Sequence, residues 1–339
     1  VMLSLARPGG IWLVSDQVFG GTSSVLRKVL APFGVEVRRA APEPAAMAAA
    51  ADASVVGMWV ETIANPSGHV PDLPALAEVA HAVGAPLVVD NTWGSGGYLC
   101  QPLTLGADVV VHSATKWIGG HGVAVGGAVV DGGSFAWTAQ PGRFPAFERR
   151  DVHGRTIVER WGERPLAGQV TDLGLMTMGM TMSPHVAFLL LQGLETLDLR
   201  VQRSCDHAAE LARRFVRMEG IASVVYPGLE DHPSFEAARR VLRNGFGSVL
   251  GLRFASEALA RATLDRFELV SHLANIGDAK TVAIHPWSTT HASLSEEAKH
   301  SAGVTPDMVR LSVGLEDPQD VARDVERALT AARHAIGRG

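Results

Sequence analysis

Short runs of apolar, mostly β-branched residues alternate with amphipathic stretches along the first half of the chain. Such runs are typical of buried strands, and apolar residues at helical spacing are typical of helices packed against them. The predicted strands cover Ile11–Val14, Val55–Val60, Leu87–Val89, Val109–Val111 and Gly126–Val130, and the predicted helices cover Ser23–Phe33 and Asp72–Val83. This order predicts an α/β fold with a mostly parallel, doubly wound sheet.

The second half begins with a strong helical pattern. Ser183 and Pro184 favour a helix start, which predicts one long helix from His185 to Met218 leading into a smaller α+β C-terminal domain. That domain should hold strands at 223–226 and 248–254 and helices at 256–267 and 318–336. We therefore expect a large domain over residues 1–182 and a C-terminal domain over 183–339. Residues 134–165 lack clear periodicity, which favours a loop with a function or near an interface.

The composition favours a cytoplasmic enzyme over a protein that binds nucleic acid or a membrane. The chain has 339 residues, 47% of them hydrophobic, and a net charge of −5, so no basic stripe attracts nucleic acid or an anionic membrane. No apolar run reaches the ~18 residues that span a bilayer. The two cysteines, Cys100 and Cys205, lie far apart, which predicts free thiols in a reducing compartment.

The start of the chain resembles the end of an amphipathic helix rather than a leader peptide. Val1 is not an initiator methionine, and residues 1–10 carry neither a basic region nor a small-residue cleavage site. We expect that an N-terminal segment precedes Val1 in the complete protein.

Polar side chains follow two of the predicted strands where each strand ends. Asp90 and Thr92 come after the strand Leu87–Val89, and Ser113, Thr115 and Lys116 come after Val109–Val111. In an open α/β sheet the carboxyl ends of the strands face one crevice. An amine, a carboxylate and hydroxyls suit pyridoxal phosphate: the amine forms the Schiff base, the carboxylate keeps the pyridine nitrogen protonated, and hydroxyls hold the phosphate. Taken alone, each of these residues is more typical of an ordinary strand end or solvated surface.

Several strings together resemble the Cys/Met-metabolism family of pyridoxal phosphate enzymes. The string S-A-T-K-W-I-G-G-H-G at 113–122 resembles the family's cofactor-lysine segment, which implies Lys116 as the catalytic residue. The string E-T-I-A-N-P at 61–66 and F-G-G-T at 19–22 are similar to further cofactor-side motifs. The resemblance implies fold type I and a set of cofactor-binding residues: Asp90, Thr92, Ser113, Thr115, Asn65, Phe19 and Glu61.

The C-terminal strings are similar to those of O-acetylhomoserine sulfhydrylases. N-I-G-D-A-K at 275–280 and H-P-W-S-T-T-H at 285–291 follow that pattern, and V-R-L-S-V-G at 309–314 implies that Arg310 clamps the substrate carboxylate. The resemblance implies substrate-binding roles for Arg310, Asn275, Ser288 and Trp287. Trp287 replaces the family's usual alanine, so the indole either reshapes the substrate pocket or packs in the core.

The resemblance implies γ-substitution on an O-activated homoserine, through a lysine aldimine and a β,γ-unsaturated ketimine. It also implies a homotetramer, a dimer of dimers with shared sites, in which the expected N-terminal segment supplies a Tyr-x-Arg pair to the neighbour's phosphate. Phe19 and Val152 stand where tyrosines are usual. A nucleophile other than sulfide, γ-lyase or cystathionine γ-synthase-like activity, and an inactive cofactor-binding paralogue therefore remain alternatives.

Metal and dinucleotide sites are disfavoured. His112, His121 and His153 are scattered, and the chain contains neither H-E-x-x-H nor C-x-x-C. No G-x-G-x-x-G follows the first predicted strand. We expect a small amino-acid substrate and no metal.

Overall fold

A computed structural model describes residues 1–337, so the last two residues of the expected C-terminal domain lie outside the described residues. The first sheet has six strands in the order β2-β1-β3-β4-β5-β6. All neighbours pair in parallel except β5 and β6, which are antiparallel. The strands are β1 (Ile11–Ser15), β2 (Glu36–Ala40), β3 (Val55–Glu61), β4 (Leu87–Asp90), β5 (Val109–Ser113) and β6 (Gly127–Asp131). The mostly parallel sheet is confirmed.

Both faces of this sheet are covered, as expected for parallel strands. Leu87 and Val89 on β4 pack into one apolar cluster, whereas Val88 between them packs into another on the opposite face. The helices of this half are α1 (Met2–Leu5), α2 (Gly20–Val25), α3 (Pro44–Ala50), α4 (Leu73–Ala82), α5 (Pro145–Glu148), α6 (Ile157–Trp161) and α7 (Pro165–Val170). The predicted helix at 23–33 is an α-helical start continued by π- and 3₁₀-helical turns, Leu26–Leu30 and Ala31–Phe33.

The second sheet has five strands in the order β7-β8-β11-β10-β9. They are β7 (Ile221–Val225), β8 (Val249–Phe254), β9 (Ser271–His272), β10 (Val282–Ile284) and β11 (Met308–Ser312). The surrounding helices are α8 (Pro184–Leu194), α9 (Leu197–Phe215), α10 (Phe235–Val241), α11 (Glu257–Leu264), α12 (Glu296–Ser301) and α13 (Pro318–Ile336). The helix expected to run unbroken over 185–218 is instead two helices, because Glu195 and Thr196 interrupt it.

The segment 134–165 contributes a few buried side chains to the core, although most of its residues are exposed or half-buried. Trp137 and Phe147 stack with their centroids 4.4 Å apart and a 5° angle between the rings, and both are buried. Arg143 donates hydrogen bonds to the carbonyls of Ala53, Val55, Val83 and Gly84. The segment also contains the helices α5 and α6, so it is not one continuous loop. Its function or place near an interface stays a prediction.

Within residues 1–337 both cysteines are buried and neither forms a disulfide. No helix in that range is long and apolar enough to cross a membrane. The cytoplasmic location stays a prediction.

Candidate active site

One cleft lies at the carboxyl ends of β3, β4 and β5, which end at Glu61, Asp90 and Ser113. It encloses about 620 Å³ of empty space, part of it open to solvent. The predicted residues that line it are Phe19, Glu61, Asn65, Asp90, Thr92, Ser113, Lys116, Asn275 and Arg310. Residues from both halves of the chain therefore converge on one place, as the strand-end argument requires.

Lys116 lies in a tight turn directly after β5. Its backbone N–H donates to the carbonyl of Ser113 at 3.1 Å, and its carbonyl accepts from Gly120 at 2.7 Å. The side-chain Nζ donates to Oδ1 of Asn275 at 2.7 Å. Burial lowers the pKa of the Lys116 amine, the nearby Arg310 lowers it further, and Asp278 partly opposes them. A lysine with a lowered pKa is suited to react with a carbonyl and to exchange protons near neutral pH.

Asp90 is held at the end of β4 by Thr92. Its Oδ1 accepts hydrogen bonds from the Thr92 backbone N–H at 3.0 Å and from the Thr92 hydroxyl at 2.6 Å. The Thr92 hydroxyl oxygen in turn accepts from the Ser113 N–H at 2.9 Å, which joins the ends of β4 and β5. Burial raises the pKa of Asp90. A carboxylate in this position gains most from a cationic partner such as a protonated pyridine nitrogen.

Glu61 organises two backbone segments at the cleft. Its carboxylate accepts from the Phe19 N–H at 2.6 Å and from the Asn65 N–H at 3.1 Å. Burial and the neighbouring Asp90 raise the pKa of Glu61 well above its usual range. These contacts indicate that Glu61 fixes the Phe19 and Asn65 segments rather than touching a ligand by itself.

Arg310 is a buried cation on β11. It is 4% exposed, and its guanidinium donates to Oδ1 of Asn65 at 2.9 Å and to the carbonyl of Asn275 at 3.2 Å. Burial lowers its pKa to about 10. Within residues 1–337 no carboxylate forms a salt bridge with it. Because a buried charge without a counterion is costly, the site favours an anionic ligand beside Arg310.

Five further residues line the cleft that sequence reasoning missed: Ile63, Trp93, Ala274, Ile276 and Thr290. Ile63 and Thr290 lie inside the motifs at 61–66 and 285–291, and Trp93 follows Asp90 by three positions, so each had a signal in the sequence. The Trp93 ring packs edge-on against Trp117, with centroids 6.2 Å apart. Ala274 and Ile276 flank Asn275. The predicted role of Asn275 pointed to this segment, but only the fold shows that its two neighbours also line the cleft.

Three expected site residues lie outside the cleft lining. The Thr115 hydroxyl bonds with both the N–H and the carbonyl of Gly126, at 3.1 and 3.3 Å. Ser288 is exposed and donates to His285 Nδ1 at 2.8 Å. Trp287 is half-buried and packs against His300, and the Lys299 ammonium lies 4.4 Å from the centre of its ring. The structure thus does not support direct ligand contacts for these side chains in this cleft.

The residues present fit pyridoxal phosphate. Lys116 offers an amine of lowered pKa, Asp90 offers a buried carboxylate at a strand end, and Phe19 and Trp93 offer flat apolar surfaces for a ring. Ser113 adds a hydroxyl to the same lining. Within residues 1–337 no group of three or more His, Cys, Asp or Glu side chains is placed to hold a metal ion.

Known proteins share this sequence and architecture. The family model described as Cys/Met metabolism PLP-dependent enzyme matches residues 1–330. Homocysteine synthase of Schizosaccharomyces pombe is 41% identical over 336 residues, covering 98% of this chain and 78% of that protein. O-acetyl-L-homoserine sulfhydrylase 1 of Thermus thermophilus is 41% identical over 334 residues, covering 97% of this chain and 79% of that protein.

Solved structures agree with these relatives. A Campylobacter jejuni crystal structure containing N'-pyridoxyl-lysine-5'-monophosphate has a TM-score of 0.91 and 29% identity, covering 97% of this chain and 79% of that one. Cystathione gamma lyase of Micromonospora echinospora has a TM-score of 0.82 and 34% identity, covering 97% of this chain and 78% of that chain. The expected fold type I and pyridoxal phosphate cofactor are confirmed. The chain therefore belongs to the Cys/Met-metabolism family of pyridoxal-phosphate-dependent enzymes.

Proposed function

We propose that this enzyme catalyses γ-replacement on O-acetyl-L-homoserine, with sulfide as the incoming nucleophile. The observation that carries the proposal is the convergence of Lys116, Asp90 and the unpaired cation Arg310 on one cleft. The names of the relatives, homocysteine synthase and O-acetyl-L-homoserine sulfhydrylase, support this substrate class.

Arg310 binds the α-carboxylate of the amino acid. Asn65 and the Asn275 carbonyl hold the guanidinium from two sides, so little side-chain ordering remains to be done when substrate binds. The planar guanidinium matches a carboxylate better than a lysine ammonium does. The substrate carboxylate supplies the counterion that the described residues do not.

Lys116 moves protons at the bound substrate. Bound pyridoxal phosphate supplies an electron sink for negative charge at the substrate's α-carbon. The Lys116 amine then takes the Cα proton and later returns one, while the Asn275 Oδ1 holds one of its N–H groups. Asp90 is placed to keep the cofactor's ring nitrogen protonated. Phe19 and Trp93 line the cleft, where their rings would pack against the cofactor.

Phe19 favours a leaving group that needs no acid. The chain has two tyrosines, and both are engaged elsewhere: Tyr98 donates to Gln202 and Tyr226 to the Gly247 carbonyl. General acid help is commonly worth ~10²–10⁴-fold in rate. Acetate leaves with less such help than hydroxide, so the phenylalanine favours an activated homoserine. Phe19, which stands where a tyrosine is usual, also supports a second candidate function: γ-replacement with a thiol or carbon nucleophile instead of sulfide.

A substrate panel tests the proposal. We would offer O-acetyl-, O-succinyl- and O-phosphohomoserine and free homoserine, each with sulfide, a small thiol, a carbon nucleophile or no nucleophile. We expect homocysteine from O-acetylhomoserine and sulfide, and little turnover of free homoserine. Efficient turnover only with a thiol or carbon nucleophile would establish the second candidate. Release of a keto acid at an undiminished rate in the presence of every nucleophile, with no replacement product, would indicate a γ-lyase and contradict both.

We also infer that the enzyme is a homotetramer. Large apolar side chains are exposed along 175–199, among them Met176 at 74%, Leu191 at 60% and Leu199 at 68%. Exposed apolar side chains concentrated in one stretch of the chain favour burial against a second copy. Light scattering on the loaded enzyme tests this inference, and a monomer or a dimer at micromolar concentration would contradict it.

A further inference from the structure

Asn275 is held between a lysine and a carboxylate. Its Oδ1 accepts from Lys116 Nζ at 2.7 Å, and its Nδ2 donates to Asp278 Oδ2 at 3.3 Å. Asp278 is 9% exposed and does not line the cleft itself. The carboxylate therefore acts on Lys116 only through the amide of Asn275 and through its charge.

Asp278 selects the orientation of that amide. If the amide were turned over, its NH₂ group would face the N–H donors of Lys116 and its oxygen would face the carboxylate of Asp278. The amide oxygen and the Asp278 carboxylate would then repel each other, because both are acceptors, and the Lys116 N–H would lose its acceptor. With Asp278 in place, the amide oxygen faces Lys116, and the amine is held by a defined acceptor.

Asp278 is in turn fixed against the segment that carries the lysine. Its Oδ1 accepts from the Lys280 N–H at 3.1 Å, and the N–H of Ala279 donates to the Gly120 carbonyl at 2.8 Å. Gly122 lies directly on the carboxylate: a Cβ there would stand 2.6 Å from Asp278 Oδ2. These contacts tie residues 275–280 to the turn after Lys116.

We propose that Asp278 is a positioning residue for proton transfer, which orients Asn275 so that the Lys116 amine stays aimed at the substrate's α-carbon. This rests on the proposed role of Lys116. In that step the lone pair of the neutral Lys116 Nζ would take the Cα proton and later return one, and pyridoxal phosphate, when bound, would stabilise the electron pair left by the broken C–H bond. One N–H of the amine remains on Asn275 Oδ1 throughout.

Exchange of the Cα proton for deuterium measures this step alone. The loaded enzyme would be mixed in D₂O with L-α-aminobutyrate, which lacks a γ-leaving group, and followed by proton NMR. Because a misplacement of about 1 Å can reduce a rate by about 10²-fold, we expect Asp278→Asn to slow exchange by about 10- to 100-fold. We expect the KM for the amino acid to stay within about threefold, since Arg310 is untouched.

A double-mutant cycle separates positioning from a general loss of structure. Asn275→Ala removes the intermediary and should slow exchange to a similar degree. If Asp278 acts through Asn275, the double variant should be at most about twofold slower than the slower single variant. Asp307→Asn is the matched control, because that carboxylate pairs with Arg253 in the same half of the chain.

Two results would overturn the proposal: exchange in Asp278→Asn within about twofold of the unaltered enzyme, or losses that multiply in the double variant. If Asp278→Asn does not fold with cofactor bound, Asp278→Ser supplies the same comparison. Failure of O-acetylhomoserine turnover with normal exchange would overturn the proposed function and leave the role of Asp278 intact.

Discussion

Lys116 is held by contacts from both halves of the chain. The turn after β5 fixes its backbone through Ser113 and Gly120, and Asn275, 159 residues away in sequence, meets its amine. The motif around Lys116 could be recognised in the sequence because its residues are consecutive. Its acceptor could be assigned only from the structure.

Replacing Lys116 should abolish covalent attachment of the cofactor. We expect Lys116→Ala to lose the borohydride-reducible absorbance band and all measurable turnover, because no other amine of the described residues lines the cleft. The matched control is Lys280→Ala, an exposed lysine nearby. Peptide mapping of the reduced enzyme checks the site: a pyridoxyl group on Lys280 would contradict the assignment.

Replacing Arg310 should weaken use of substrate. Charged hydrogen bonds are worth about 1.5–3 kcal/mol, so we expect Arg310→Ala to reduce kcat/KM by the equivalent of roughly 2–4 kcal/mol. Arg310→Lys should give a kcat/KM between those of Arg310→Ala and the unaltered enzyme, since lysine keeps the charge but lacks the planar guanidinium. Steady-state kinetics measure this. Arg253→Ala serves as control, and unchanged kinetics in Arg310→Ala would exclude the clamp.

At the scale of elements, patterned segments were predicted well and unpatterned ones poorly. The buried strands of the first sheet were found by their apolar runs, whereas the edge strand β2, with the sequence E-V-R-R-A, was missed. Because an edge strand is half exposed to water, it need not contain a continuous run of apolar residues. The break between α8 and α9 was missed for the opposite reason, since helical spacing continues on both sides of it.

The aromatic cluster in 134–165 should contribute strongly to stability. Phe147 is fully buried and stacked on Trp137, and a buried Phe→Ala change typically costs about 3–5 kcal/mol. We therefore expect Phe147→Ala to lower the free energy of unfolding, measured by urea denaturation, by about 3–5 kcal/mol. Phe33→Ala is the matched control, because Phe33 is 79% exposed. Equal effects of the two substitutions would show that this segment lies outside the cooperative core.

At the scale of the whole molecule, acid should destabilise the fold through its buried histidines. His291 is fully buried, and burial, Arg310 and Lys299 lower its pKa from 6.5 to about 4. Between pH 4 and pH 6.5, His291 binds a proton in the unfolded chain but not in the folded protein. The contribution of neutral His291 to the free energy of unfolding is therefore complete above pH 6.5 and is lost as the pH falls toward 4.

The His291→Gln variant isolates this contribution. Between pH 7 and pH 5 the free energy of unfolding of the unaltered protein should fall about 2 kcal/mol further than that of the variant. Urea unfolding at both pH values measures the difference, with His334→Gln on the C-terminal helix as control. Equal pH dependence in the His291→Gln variant and the unaltered protein would show that His291 titrates normally in the fold.

Local pattern by itself determined the mostly parallel sheet, the strand ends that carry Asp90 and Lys116, and, through consecutive motifs, the family and its cofactor. These features depend on neighbouring residues, whose spacing sets both strand formation and side-chain placement. The tertiary structure decided which side chains meet. Arg310 reaches Asn65 across 245 residues of sequence, while Trp287 and Thr115 lie outside the lining of the cleft. Side-chain direction at such positions is set by packing between distant segments, which no local pattern records.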